Sequence, residues 1–370
     1  MGKFGVTLGP EGELTTVVSA RLFPSSPHLR RDFRASGGTV LRTTPVFETF
    51  WRFAFERQEI FFKRVCGLLP PWTSDPILRD YRFTNVYRVC DRVSQYLIRR
   101  VIYEGDQTEE EIFFRILLFR LFNRIETWEL LEDGVGPICW RTFDINRYAR
   151  LLDDALRIGT KIYSAAYIMP CPPFGAARKH RNHLILLSKM MKEGVPVKVV
   201  TARSLEEVFS RLRSYPSVGN FLAYQFAIDL NYSPLTFFSE MDFVVAGPGA
   251  RSGIRKAFHD TCGLSEEDVI RAVTQSAAQE FERRGLPFRE LWGRPLQLID
   301  CQNLFCEVDK YSRVAHPEVH GSSRKRIKQR FIPQTKPIPQ WYPPKWELQP
   351  ERASARDGVL PLRAGSSPGS

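Results

Sequence analysis

From Pro45 to Val314 the large apolar residues of this chain recur every three or four positions and almost nowhere alternate. That spacing stacks them on one face of a helix turn after turn, which favours burial by packing helix on helix. The segment VFETFWRFAFERQEIFFKRVCGLL from Val46 sets the pattern and stops at Gly67 and the Pro70-Pro71 pair. Next, RDYRFTNVYRVCDRVSQYLIRRVIYEG puts Phe83, Val86, Val89 or Cys90, Val93 and Leu97 on one side. Thr108 and Glu111 have the spacing of a capping box in front of EEEIFFRILLFRLFNRIETWELLE.

Further helices are expected from about Asp144 to Tyr167, over RKHRNHLILLSKMMKE up to Gly194, from the Ser265 cap to Gly285, and over LQLIDCQNLFCEVDKYSRV. Only PVKVVTA, 196–202, reads as an extended piece. The expectation is an all-α protein of about ten helices without a repeat at a fixed period.

Charge separates the ends from the middle. Residues 1–45 hold six Lys/Arg against three acids and 321–370 hold ten against three, whereas the segment between holds 37 against 35. The ends, with Arg30-Arg31 and Arg34 at one side and SSRKRIKQR plus IPQTKPIPQWYPPKWELQP at the other, predict disordered basic termini, 1–45 as a flexible arm and 321–370 as a Pro-rich tail. No run reaches the roughly 18 uninterrupted apolar residues of a membrane span; even IFFRILLFRLF is broken by Arg115 and Arg120. With no signal-type apolar core in MGKFGVTLGPEGEL, and Val6 where a myristoylation signal wants Ser or Thr, the expected location is intracellular, nuclear in a eukaryote and otherwise cytoplasmic. The seven cysteines have no CxxC pair and read as reduced, mostly buried residues; His180 and His183 lack a third ligand and read as polar-face histidines, so no metal and no cofactor is expected.

The stretch SLEEVFSRLRSYPSVGNFLAYQFAIDLNYSPLTFFSEMDFVVAGPGARSG, 204–253, concentrates the chemistry. Ser204 and Glu207 open a helix, Pro216 ends it, and a second helix starts after Gly219 with amides directed outward. Such amides hold nucleic-acid phosphate. An ordinary αα-hairpin has the same turn. An acid, Asp242, and the glycine-rich run Gly247-Pro248-Gly249-Ala250-Arg251-Ser252-Gly253 follow; Asp242 also suits a cap for a helix near Phe243, and the glycine run a turn chosen for packing.

This order resembles the helix-hairpin-helix DNA glycosylases, whose LPGVG-type hairpin is followed some twenty residues on by a functional aspartate; here YPSVG is followed by Asp242, 23 residues after Gly219. Ser217 replaces the first glycine, Asn220-Phe221-Leu222 has no lyase lysine, and no iron–sulfur cysteine spacing is present, which disfavours a bifunctional lyase. FTNVYRVCDRVSQYLI, FRLFNRIETWE, AAYIMP, YPSVGNFLAYQFAIDLNYS, MDFVVAGPGARSG and DCQNLFCEVDKYSR together resemble the helical domain of the 5-hydroxymethyl-deoxyuridine DNA kinases. That domain is similar to the α-glutamyl/putrescinyl thymine pyrophosphorylases, the amino-acid:DNA transferases of the glycosylase-like superfamily.

The resemblance implies a glycosylase-like helical domain over 46–320, with its hairpin at 204–232 and its catalytic segment at 240–256. It also implies a role in DNA base hypermodification, in which an amine displaces the phosphate or pyrophosphate of a flipped 5-hydroxymethyluracil-derived base. On that reading Asp242 is catalytic, Ser217, Val218, Gly219 and Asn220 bind DNA, and Gly247, Gly249, Ala250, Arg251 and Gly253 bind the leaving phosphate. Thr84, Asn85, Arg88, Asp91, Arg92, Asn123, Glu126, Gln302, Asn303, Glu307 and Lys310 are candidate pocket residues, with ordinary intrahelical charge sets as the plain alternative. The implied partners are DNA, an amine or amino-acid co-substrate, and a separate kinase and hydroxylase; no membrane is involved. There is no GxxxxGK[ST] phosphate loop for a kinase activity. A monofunctional glycosylase and a non-catalytic DNA-binding accessory module are the alternatives.

Overall fold

The computed structural model describes residues 32–35, 37–319, 326–334 and 338–350. Over these the chain is all-α apart from one two-stranded hairpin, β1 Asp32–Arg34 with β2 Val40–Arg42. The helices are α1 Pro45–Val65, α2 Pro76–Asp80, α3 Arg92–Tyr96, α4 Glu109–Phe122, α5 Ile125–Val135, α6 Ile145–Arg157 and α7 Lys179–Lys192. They continue as α8 Val195–Val200, α9 Leu205–Arg213, α10 Asn220–Asn231, α11 Pro248–Ala257, α12 Glu266–Gln275, α13 Ala277–Arg283 and α14 Leu298–Ala315. None is long and apolar enough to cross a membrane.

Two helices are buried all round. Every residue of α4 from Glu111 to Phe122 is buried, and so is α10 from Leu222 to Asn231. Each large apolar side chain taken out of water contributes about 1.5–3 kcal/mol, so this core outweighs the cost of the arginines it carries. Arg115 and Arg120, which interrupt the apolar run of α4, turn inward and find acceptors. Arg115 donates to the carbonyls of Val101 and Ile102, at the π-turn that extends α3. Around this pair, α7 and α8 pack on α4, α9 on α10, and α11 lies along α14, which also meets α1.

Several local expectations change. Residues 195–200 form α8, because Gly194 turns the chain in the left-handed region and Pro196 then starts a helix, overriding the β-branched valines. The helix expected to reach Tyr167 ends at Arg157, followed by Gly159 at φ 81°. The Thr108–Glu111 box does not form: Asp106 takes the Thr108 amide, and buried Glu111 takes the amides of Trp140 and Arg141. His180 and His183 are buried, and only Cys90 and Cys301 of the seven free cysteines are.

The ends are also more integrated than their composition suggests. Phe33 and Leu41 are buried, Phe33 packs on Phe47 and Phe258, and Thr43 bridges to Phe258, so residues 32–44 are docked, not a free arm. At the other end Trp341 exchanges two hydrogen bonds with Gln95, and Tyr342 is buried near Cys90 and Trp292. Lys345 Nζ donates to the carbonyls of Asn231, Ser233 and Thr236. Aromatic and lysine anchors at wide spacing hold this Pro-rich chain, a pattern without helical period. Residues 1–31, 320–325 and 351–370, and the expectations resting on them, lie outside the described residues.

Candidate nucleic-acid site

The hairpin forms where the sequence places it. Ser204 Oγ accepts the Glu207 amide at 3.1 Å, while the Glu207 carboxylate takes the Arg203 amide, one residue earlier than a reciprocal box would. The turn runs through Ser217 at φ 64°, a left-handed conformation that glycine tolerates best; the Ser217 hydroxyl donates to the Cys171 carbonyl at 3.1 Å and holds it. Gly219 is the N-cap of α10 and has no side chain to take the first amides of the helix. A Cβ built there meets nothing within 4 Å, so this backbone faces open space. Asn220 is oriented by Arg213 Nε at 2.5 Å.

Below the hairpin lies a buried polar cluster. Asp229 on α10 is 0% exposed and binds two guanidinium groups, Arg88 Nη1 at 2.8 Å and Arg120 Nη2 at 2.7 Å on the same oxygen, with Arg120 Nε 2.5 Å from the other. One turn back along α10, the Gln225 carbonyl oxygen accepts from Arg88 Nε at 2.9 Å and from the Tyr167 hydroxyl at 3.1 Å, and its amide lies 3.4 Å from Gln302. Arg120 also donates to Asn123, which ends α4 in the left-handed region. Burial opposes charge on Arg88, but Asp229 outweighs it and holds the guanidinium well above its usual range. Arg88 Nη2 makes no hydrogen bond among the described residues.

This cluster meets the surface at two half-buried rings, Tyr167 and Phe221, in an edge contact 5.4 Å between centroids. Gly247, the N-cap of α11, packs on Phe221 and sits near Gln302: a Cβ there would lie 2.8 Å from the ring and 3.7 Å from the Gln302 amide nitrogen. The starts of α10 and α11, segment 163–171 and the first half of α14 thus converge. Segment 163–171 is clamped by His183, whose Nε2 bonds the Pro170 carbonyl at 2.8 Å and whose Nδ1 lies 2.7 Å from the Tyr163 hydroxyl. A carbonyl only accepts, so Nε2 carries a proton; burial pushes the imidazole down to about 4, so at neutral pH it is uncharged and Nδ1 accepts from Tyr163. Within this segment Ile168 is 84% exposed.

Of the residues singled out in the sequence, the hairpin set, Arg88, Asn123, Gln302 and Gly247 come together here. Others group elsewhere. The Asp91 carboxylate takes the Asn85 amide and Glu307 takes the Thr84 amide and pairs with Lys310; burial pushes Asp91 up to about 6. Arg92 and Glu126 form an exposed pair at 3.8 Å, and Asn303 is half-buried on α14. Asp242 is exposed in the connection from α10 to α11; its carboxylate joins neither group, while its backbone carbonyl takes Arg271. No helix begins at Phe243.

The glycine-rich run is not a loop but the first turns of α11. Gly249 and Gly253 face α14, where an added Cβ would lie 2.3 Å from Cys306 Sγ and 2.0 Å from the Phe305 carbonyl oxygen, Ala250 is buried, and Arg251 Nε is tied back to the Ala246 carbonyl. Their job in the fold is close helix packing. Sequence reading missed Arg120, Gln225, Asp229, Tyr167 and Phe221. For Arg120, Gln225 and Asp229 the available signal was polar residues inside helices otherwise apolar on every side, since such groups persist only when partnered.

Compared with known proteins, residues 44–321 match the family described as 5-hmdU DNA kinase, helical domain. A curated relative, the 5-hmdU DNA kinase of Bacillus phage SP10, is 29% identical over 349 residues, which cover 83% of this chain and 54% of the relative. The chain therefore spans about half the length of that relative. No solved structure matches.

Proposed function

The chain belongs to the family of the 5-hmdU DNA kinase helical domain, and from that premise we propose that it acts in DNA modification at 5-hydroxymethyluracil-derived bases, holding the flipped base while an amine displaces its phosphate or pyrophosphate. The observation that carries this reading is the convergence of the uncapped start of α10 on the Tyr167–Phe221 rings and the polar cluster beneath them. The amides after Gly219 grip a phosphate, the two rings receive a flat base, and Arg88 Nη2 offers a donor to a carbonyl or phosphate oxygen. Ile168, exposed between anchored neighbours, fills the gap that the base leaves in the stack.

In the displacement, the amine nitrogen bonds to the methylene on C5 of the base as the methylene–oxygen bond to phosphate breaks. The phosphate leaves with that electron pair and the amine gives up a proton. The family resemblance gives that proton to Asp242, whose exposed carboxylate stands apart from the rings and the polar cluster, so this assignment rests on the resemblance and not on the geometry of the site. The kinase activity in the relative's name is not carried over, since the chain covers only 54% of that protein.

The test incubates the protein with DNA carrying phosphorylated 5-hydroxymethyluracil and candidate amines, digests the DNA to nucleosides and measures their masses. An amine adduct supports the displacement. An abasic site replaces it with base excision, and unchanged DNA that is nevertheless bound leaves a binding module. Full turnover by Asp242→Asn would move the proton step to another group.

A further inference from the structure

Away from the hairpin, the second half of α1, the Pro70–Thr73 segment, α2 and the returning chain at 331–333 enclose a cavity of about 310 Å³. Its walls are mainly apolar and include the rings of Trp72, Tyr81, Phe83 and Phe331. Three arginines line it as well: Arg79 reaches Asp80 at 3.7 Å, which leaves Arg57 and Arg64. Arg57 is only 7% exposed, and although its Nη2 donates to Asn85 at 2.9 Å, its Nη1 is buried without a hydrogen bond among the described residues. Arg64 stacks on Trp72 at 5.1 Å, and its buried Nε likewise has no partner there.

Neither guanidinium forms an ion pair among the described residues, and the acids nearby are engaged elsewhere. Asp75 caps α2 and accepts from Tyr311, Asp80 faces Arg79 and Arg330, and Glu56 accepts from Thr73. Asp91, on the far side of Asn85, and Glu307, on the Thr84 amide, act on Arg57 only through space. Burial, reinforced by the like charge of Arg64, pushes Arg57 down to about 10, so it keeps its proton at neutral pH. A buried cation without a carboxylate is costly unless an anion joins it.

We propose that this cavity binds a small organic anion, a carboxylate or phosphate joined to a single flat ring. The arginines take the anionic end, and the aromatic walls take the ring. The volume lies at the lower end of ligand pockets, which run from about 300 Å³, so it suits one ring and not an oligonucleotide. Two arginines reject cationic ligands, so a diamine is not the occupant. The site is independent of the hairpin reading.

The test uses the full chain without DNA, with calorimetric titration of thymidine 5′-monophosphate and phenylacetate, and of thymidine and 2-phenylethanol as their uncharged counterparts. At least one anion is expected to bind about tenfold or more tightly than its counterpart, and Arg64→Gln to weaken it by about the same factor. Arg57→Lys, which keeps the charge but loses the fork, is expected to weaken it as well. Preference for the monophosphate identifies a phosphate ligand, preference for phenylacetate a carboxylate. The proposal fails if neither anion outbinds its counterpart, or if a folded Arg64→Gln protein binds as well as the parent. Failure here leaves DNA binding and base modification unaffected, because neither enters the measurement.

Discussion

Helices α10 and α11 both begin at a glycine cap, yet one start is open and the other is covered. At Gly219 an added Cβ meets nothing within 4 Å, whereas at Gly247, Gly249 and Gly253 it runs into Phe221, Cys306 and the Phe305 carbonyl. In the first, glycine leaves the backbone open to solvent. In the second, it lets one helix lie flush on another. Similar letters in the sequence therefore have different physical causes, separated only by what lies across from them.

The comparison is broken most severely at Gly253. The atom in the way is main chain and cannot rotate aside, so Gly253→Ala is expected to cost about 3 kcal/mol or more in urea unfolding. A cost below the level of an ordinary surface change would mean that α11 is not seated on α14 as described.

His183 tests whether the open start depends on its neighbouring clamp. Burial pushes this histidine down to about 4, while the unfolded imidazole takes its proton near 6.5. Its contribution is thus whole above 6.5 and lost as pH falls from 6.5 towards 4, about 2 kcal/mol by pH 5. Asp91, raised to about 6, works in the opposite direction, so the relevant quantity is the parent minus His183→Gln. Parallel pH–stability curves for the two proteins would remove the clamp.

Gly219→Asp should separate folding from binding. An aspartate cap satisfies the first amides of α10 and leaves stability unchanged or raises it by a few tenths of a kcal/mol, while its charge repels phosphate and lowers DNA affinity about tenfold. Equal DNA affinity in a filter-binding or anisotropy assay would show that this start does not face nucleic acid. The smallest effect belongs to Gly249→Ala, at about 1 kcal/mol, because Cys306 is a side chain that can move. Adding Cys306→Ala should recover most of that loss, and a double variant no better than the single one would place the clash elsewhere.

Helix existence was legible because three- and four-residue spacing survives in one dimension. The hairpin at 204–232, the Ser265 cap and the last helix follow from local rules that the structure obeys. The polar cluster was half legible: Arg88, Asn123 and Gln302 stood out in recognisable phrases, but Asp229, the common partner of Arg88 and Arg120, sits within one of those phrases in an apolar run whose meaning depends on contacts over a hundred residues away. The glycines of 247–253 fitted a phosphate loop and a packing turn alike, since nothing in the run itself indicates that α14 lies against it. The arginine-lined cavity had no sequence signature at all; α1, the Pro70–Thr73 segment and residues 331–333 meet only in three dimensions.

Lys345 adds an electrical consequence to its place as an anchor. Its ammonium lies on the Asn231, Ser233 and Thr236 carbonyls, at the C-terminal end of the same helix whose N-terminal end is the open start. The aligned peptides of α10 give that end about half a negative charge and the hairpin end about half a positive one. The tail thus supplies a countercharge to the negative pole and leaves the positive pole to face outward. Burial lowers Lys345 to about 8, so this countercharge fades as the solution becomes alkaline. A fragment ending at residue 321, where the family match ends, would have the helix without it.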